Sequence, residues 1–200
     1  MRKAKIDEQN RYLVARQHEF RIAADIVTAV WSGFAEVEAV AVIGSVAKPL
    51  WKAVPRFREF RREKIEVWHE CGDLDMALWV SSQHQLDKIR SAASVALMKA
   101  VTDRTDCRVS STQIDVMLFQ PGNNAYLGRL CRYSHCPKGK IDCFVPGCGT
   151  IAFNKLVPDF KPNADLLSGV EDAVLYKRGQ GVIRSATTLP LPADPTLSAS

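Results

Sequence analysis

The sequence predicts a mixed α/β protein built on one principal core. A helix-period apolar stripe opens the chain, three short apolar segments with strand periodicity follow, and a second helical stripe separates the last two of these segments. With 200 residues and 46% hydrophobic content, the chain is long enough to bury a full core and a small appendage.

The first helix is predicted near Asp7 to Trp31, where Leu13, Phe20, Ala24, Val27 and Trp31 recur at three-, four- and seven-residue steps. Glu36 to Ile43 then reads as a buried strand, because Val37, Ala39, Val40, Ala41, Val42 and Ile43 form a short, β-branched-rich run ending at Gly44. Pro49 and Pro55 punctuate the next stretch, and Pro55 suits the first turn of a short helix over Arg56 to Lys64. Asp73 to Val80 alternates: Leu74, Met76, Leu78 and Val80 share one face, and Asp73, Asp75, Ala77 and Trp79 the other.

Ser81 or Ser82 suits the cap of a following helix, whose buried face is Leu86, Ile89, Ala93, Ala96, Leu97, Ala100 and Val101. The third strand spans Gln113 to Phe119, with Ile114, Val116 and Leu118 on one side and Gln113, Asp115, Met117 and Phe119 on the other. Pro121-Gly122-Asn123-Asn124 is a turn signal. A last helix is predicted from Ala164 to Tyr176, with Leu166, Leu167, Val170 and Val174 inward. Three units are expected: a core over residues 1–125, a Cys-rich segment with the C-terminal helix over 126–178, and a flexible tail over 179–200.

Formal charge is +5, and its position matters more than its size. Lys48, Lys52, Arg56, Arg58, Arg61, Arg62 and Lys64 face only Glu59 and Glu63 within one segment, so residues 48–64 carry an excess equal to that of the whole chain. Such a patch suits a phosphate-bearing partner, nucleic acid included; the blander reading is a solvated helix face. No run approaches the ~18 unbroken apolar residues of a membrane span. No apolar core follows the basic start Met1-Arg2-Lys3-Ala4-Lys5, so a cytoplasmic protein with no membrane partner is expected.

Chemistry concentrates on three aspartates. Asp73 and Asp75 share a strand face about 7 Å apart at a rise of ~3.3 Å per residue, and Asp115 lies in another apolar strand. Carboxylates so grouped suit Mg²⁺ (or Mn²⁺), which takes oxygen ligands and can clamp phosphoryl oxygens during in-line attack on phosphorus. Gly44 permits a tight turn and close approach of backbone N–H groups to a triphosphate, Ser45 offers a hydroxyl, and Lys48 or Lys52 could assist. Taken singly, a Gly-Ser after a strand is usually a turn, and Asp-x-Asp is often a solvated edge.

In order, these motifs resemble the nucleotidyltransferase superfamily that includes DNA polymerase β. Its members carry a Gly-Ser turn after the first strand, Asp-x-Asp on the second and often a later third Asp; Gly44-Ser45, Asp73/Asp75 and Asp115 match in sequence over roughly residues 30–120. The resemblance implies a small mixed sheet flanked by helices. It also implies transfer of a nucleotidyl group from an NTP, ATP among them, with Asp73, Asp75 and Asp115 holding the metal and Gly44 and Ser45 the triphosphate. The 27 residues between Ser45 and Asp73 depart from compact members, and the excess is the basic segment.

Cys131-x4-Cys136-x6-Cys143-x4-Cys148, with His135 as a substitute ligand, offers a tetrahedral set for a structural Zn²⁺. Buried free thiols, a disulfide or an iron–sulfur cluster are the competing readings. Cys71 reads as a buried thiol, and His69 as a loop histidine.

The expected function is metal-dependent nucleotidyl transfer to a protein hydroxyl, a small molecule such as an aminoglycoside, or an RNA end. The rivals are an inactive protein of that fold, for instance a toxin–antitoxin component or regulator, and a zinc-anchored nucleic-acid-binding protein.

Overall fold

The computed structural model describes residues 3–103, 105–130 and 161–192. Cys131, Cys136, Cys143, Cys148 and His135 lie outside the described residues, so the zinc expectation has no structural counterpart here.

Helix α1 (Lys3–Trp31) buries Leu13, Phe20, Ala24, Val27 and Trp31, the stripe read from the sequence. It is longer at its start than expected and also buries Gln17, Arg21 and Thr28. Strand β1 (Val37–Ile43) follows. The basic segment makes a small unit of its own: strands β2 (Lys52–Ala53) and β3 (Val67–Trp68) pair antiparallel, and helix α2 (Arg58–Arg62) lies between them in the chain. The helix expected over Arg56 to Lys64 is thus shorter, closing where Lys64 adopts a positive φ of 52°.

Strand β4 (Leu74–Val80) and strand β5 (Ile114–Phe119) run parallel, with helix α3 (Leu86–Thr102) as the crossover that a parallel pair requires. Leu86, Ile89, Ala93, Leu97 and Ala100 are buried on α3 as expected, but Val101 is half exposed at the helix end. The serine cap is not used: Gln85 precedes the helix, and the Ser82 hydroxyl instead accepts from the His84 N–H. The turn at Pro121–Asn124 returns the chain as strand β6 (Tyr126–Leu130), antiparallel to β5.

The largest departure lies beyond residue 160. The helix expected over Ala164 to Tyr176 is a short helix α4 (Pro162–Leu166), a 3-10 turn (Val170–Ala173) and strand β7 (Val174–Lys177). Gly169, at φ 73°, turns the chain out of the helical path. Val174-Leu175-Tyr176 then meets the open edge of β1, where ladder hydrogen bonds and burial outweigh helix propensity. Strand β8 (Gly181–Val182) pairs with β7. The described part of the expected tail is therefore ordered: Ala186 and Leu189 are buried against the main core. The boundary at residue 125 does not separate two units either, because β6 and β7 belong to the same sheet as β1, β4 and β5.

That sheet is mixed and six-stranded, in the order β6-β5-β4-β1-β7-β8, and helices flank it. Leu74, Met76 and Leu78 face the main core under α1 and α3, and the Trp31 indole N–H bonds the Ile89 carbonyl to join the two helices. Ala77, Trp79, Met117 and Phe119 face a smaller core closed by Val170 and Val174. Among the described residues, no helix is long and apolar enough to cross a membrane.

Candidate active site

Register sets the site. Ile43 on β1 is paired with Asp75 on β4, and Asp75 with Asp115 on β5. Residues paired directly across neighbouring strands project to one face, and Asp73, two residues before Asp75, joins them. Carboxylate oxygens from Asp73, Asp75 and Asp115 lie within 4.8 Å of one another. The three aspartates read from the sequence are thus gathered at one end of the smaller-core face, where it changes from aromatic to acidic. Asp73 is exposed, Asp75 partly covered and Asp115 buried.

Three carboxylates crowd this cluster. Burial, then repulsion from Asp73 and Asp115, pushes the Asp75 pKa up to about 7, while Arg129 works in the opposite direction. Arg129, on β6, forms an ion pair with Asp115. Pairing of β6 with β5, which sets Arg129 opposite Met117, brings this residue to the cluster.

Gly44 ends β1 at φ 69°, a conformation that L side chains rarely adopt. A Cβ on Gly44 would lie 2.6 Å from Asp75 Oδ2, so the Gly-Ser turn touches the acidic cluster directly. Behind the turn lies a support that the sequence reading missed. Gln17 Nε2 donates to the carbonyls of Ser45 (3.3 Å) and Lys48 (2.8 Å), and Arg21 Nε donates to that of Val46 (3.1 Å). Arg21 also reaches the carbonyls of Leu189 (2.8 Å) and Pro190 (3.0 Å), tying the turn to the end of the described chain. Arg21 is fully buried, and burial lowers its pKa. The available signal was spacing: Gln17 and Arg21 stand four apart inside the stripe of Leu13, Phe20 and Ala24, and a polar pair on a buried face requires partners.

Cys71 is buried as expected; burial pushes its thiol pKa up, against the neighbouring Ser45 hydroxyl, which lowers it. Lys48 is exposed and borders a cavity of about 210 Å³ whose walls include Gly44, Gly169 and Asp172. Lys52 places its ammonium 4.0 Å from the centre of the Trp68 ring, within the basic unit. On the other side of the turn, a cavity of about 540 Å³ is lined by Ser45, Arg56, Trp68, His69, Glu70 and Asp73, among others. Chemically, the arrangement offers a hard oxygen-ligand set beside a turn open to an anion.

Comparison with protein-family models, with curated proteins and with solved structures finds no match for this chain.

Proposed function

We propose that this protein is a metal-dependent nucleotidyltransferase, acting from an NTP on a hydroxyl acceptor. The observation that carries the reading is the lateral row Ile43–Asp75–Asp115, with Gly44 packed against Asp75. That contact couples the turn suited to a triphosphate with the carboxylates suited to its metal. Oxygens spread over 4.8 Å fit one or two Mg²⁺ or Mn²⁺ ions at bond lengths of about 2.1 Å. When bound, the metal would neutralise the phosphoryl charge and acidify the attacking hydroxyl.

The chain's own residues would do the rest. Gly44 and Ser45 would receive the triphosphate, with Lys48 at the rim. Burial keeps Cys71 a neutral thiol, and the Ser45 hydroxyl, which would donate to that sulfur, would turn to a phosphate oxygen once the triphosphate is bound. Arg21 and Gln17 would hold the turn's carbonyls away from the anion. The acceptor oxygen forms a bond to the α-phosphorus, the bond from that phosphorus to the β-phosphate oxygen breaks, and pyrophosphate leaves. A carboxylate of the triad accepts the hydroxyl proton.

Incubation with labelled ATP, GTP, CTP and UTP tests this. Metal-dependent label transfer that disappears in Asp73→Ala and Asp75→Ala is the expected result. Absence of transfer over a broad acceptor panel would sink it. One observation favours a second reading, an inactive NTP-binding protein: the Arg129–Asp115 ion pair engages one of the three ligands. In that case NTP binds without turnover, and Arg129→Gln, which removes that ion pair, restores transfer. A structural Zn²⁺ on Cys131, Cys136, Cys143 and Cys148 is a separate proposal, tested by metal analysis of the full chain.

A further inference from the structure

The basic unit that separates Ser45 from Asp73 stands beside the acidic cluster, and the cavity of about 540 Å³ between them shares Ser45 and Asp73 with the site. Its size falls in the range of about 300–1,000 Å³ typical of pockets for one small ligand or one residue of a polymer. Its walls mix donors with the carboxylates of Glu70 and Asp73. Trp68 is buried, and among the described residues its indole N–H has no hydrogen-bond partner. Arg56 supplies a guanidinium, and Ser45 a hydroxyl.

The surface leading away from the cavity pairs aromatic faces with cations. Trp51 is nearly half exposed and stacks on His69, a wall of the cavity, with ring centroids 4.2 Å apart and planes within 16°. Burial lowers the His69 pKa, so the stack has a neutral imidazole beneath it at pH 7. Phe57 is also about half exposed, and Arg56, Arg58, Arg61 and Arg62 around it are exposed. Glu59, one of the two acids of the segment, is tied to Lys5 on α1.

We infer that this cavity is the acceptor site of the proposed transferase and that it takes the 3′-terminal nucleotide of a single-stranded nucleic acid, whose preceding nucleotides lie over Trp51, Phe57 and the arginines of residues 56–62. The inference rests on the transferase reading for the word acceptor, but not for the binding. A cationic small acceptor such as an aminoglycoside could pair with Glu70 and Asp73 in the cavity but would leave the exposed arginines and aromatic rings of residues 51–62 without a role. A peptide acceptor would leave the flat Trp51 face without a use that only stacking provides. Successive bases stacked on aromatic rings along a basic track are how single strands are held without sequence preference.

The test is anisotropy of a 5′-fluorescein-labelled single strand, RNA and DNA in parallel, on the full chain without NTP or divalent metal. Expected is binding that weakens by tenfold or more between about 50 and 200 mM salt. Combining Arg56→Ala, Arg58→Ala, Arg61→Ala and Arg62→Ala should weaken binding at least tenfold and flatten the salt dependence. Trp51→Ala should weaken it roughly fivefold or more at unchanged salt dependence, with Trp51→Phe restoring most of the loss. Equal binding of RNA and DNA points to phosphate and base faces, and a preference for RNA adds contacts to the 2′-hydroxyl; both support the inference. Indifference to both sets of substitutions, or equal competition by polyglutamate at matched charge, overturns it.

Asp75→Asn keeps strand binding if the inference holds. No strand binding together with Asp75-dependent transfer to another acceptor ends the inference and leaves the transferase. Strand binding with no transfer to a 3′-hydroxyl overturns the acceptor role, and the transferase reading is then decided by the wider acceptor panel.

Discussion

Strand β4 presents two faces built from alternate residues of one segment, and they serve opposite ends. Leu74, Met76 and Leu78 lie wholly buried under α1 and α3. Asp75, Ala77 and Trp79 face the other way, and their rows change in character along the strand. Trp79 pairs with Phe119, Ala77 with Met117, and Asp75 with Asp115. One face is uniform and supports the fold. The other is graded, apolar at the end near Trp79 and acidic at the end near Gly44. A sheet can therefore carry a charged cluster at little cost to its core, because side chains alternate and the acids come at the strand's first turn outward.

Substituting once on each face gives the widest split. Leu78→Ala should cost about 2–5 kcal/mol of stability, as for other buried leucines, with activity per folded molecule retained. Asp75→Asn should reduce transfer by about 10³-fold, since metal charge stabilisation is worth several kcal/mol and each 1.36 is tenfold. In the metal-free protein it should leave stability at pH 8 unchanged or raised. Urea unfolding and a transfer assay on both variants check this. If Leu78→Ala removes activity from fully folded protein, or Asp75→Asn unfolds the chain, the division between faces fails.

The acidic face has a pH signature in the metal-free protein. Unfolded, Asp75 titrates near its ordinary value of 3.8; folded, it titrates near 7. Between these values the native state holds a proton that the unfolded state has lost. Its contribution to stability is therefore greatest below pH 4 and declines as pH rises to about 7, by at most about 1.4 kcal/mol per unit. Urea midpoints from pH 4 to 8 should show the decline, Asp75→Asn should flatten it, and Mg²⁺ should offset it at pH 8 by binding the ionised cluster. A decline of equal slope in Asp75→Asn would assign the effect to another group.

How legible all this was in the sequence followed the range of the interactions. Asp73, Asp75 and Asp115 could be read because strand alternation is local, and Gly44 because a glycine at a strand end announces a turn. Arg129 could not, since its partner depends on β6 folding back on β5 across the turn at Pro121–Asn124. Strand β7 was misread as helix because Leu166, Leu167, Val170 and Val174 keep a helical step, while the strand state is set by the distant edge of β1. Residues 179–192 looked featureless, yet their order comes from non-local partners: Arg21 for the Leu189 and Pro190 carbonyls, and Asp25 for the Ala186 N–H.

Gly44→Ala probes the joint between turn and cluster. The left-handed backbone should cost roughly 1–2 kcal/mol with any side chain. The new methyl would also displace the Asp75 carboxylate, whose oxygen now lies 2.6 Å from that position. Activity per folded molecule should fall well beyond what the stability loss explains, with weaker metal dependence. If activity falls only in proportion to the folded fraction, Gly44 serves the turn alone.

The smallest effect belongs at the far end of the graded face. The Trp79 indole N–H donates to Asn124 Oδ1 at 2.7 Å, and its ring packs on Phe119, which packs on Tyr126. Trp79→Phe keeps an aromatic ring in the row but removes that hydrogen bond. Asn124 is exposed, so water can take over its oxygen, and the net loss should be near the ordinary value of about 1 kcal/mol. Transfer per folded molecule and the pH profile should not move, because Ala77 and Met117 stand between this row and the acids. A shift in either would mean that the two ends of the face are mechanically coupled through the sheet, and the gradient along β4 would then be a single unit rather than a core that gives way to a site.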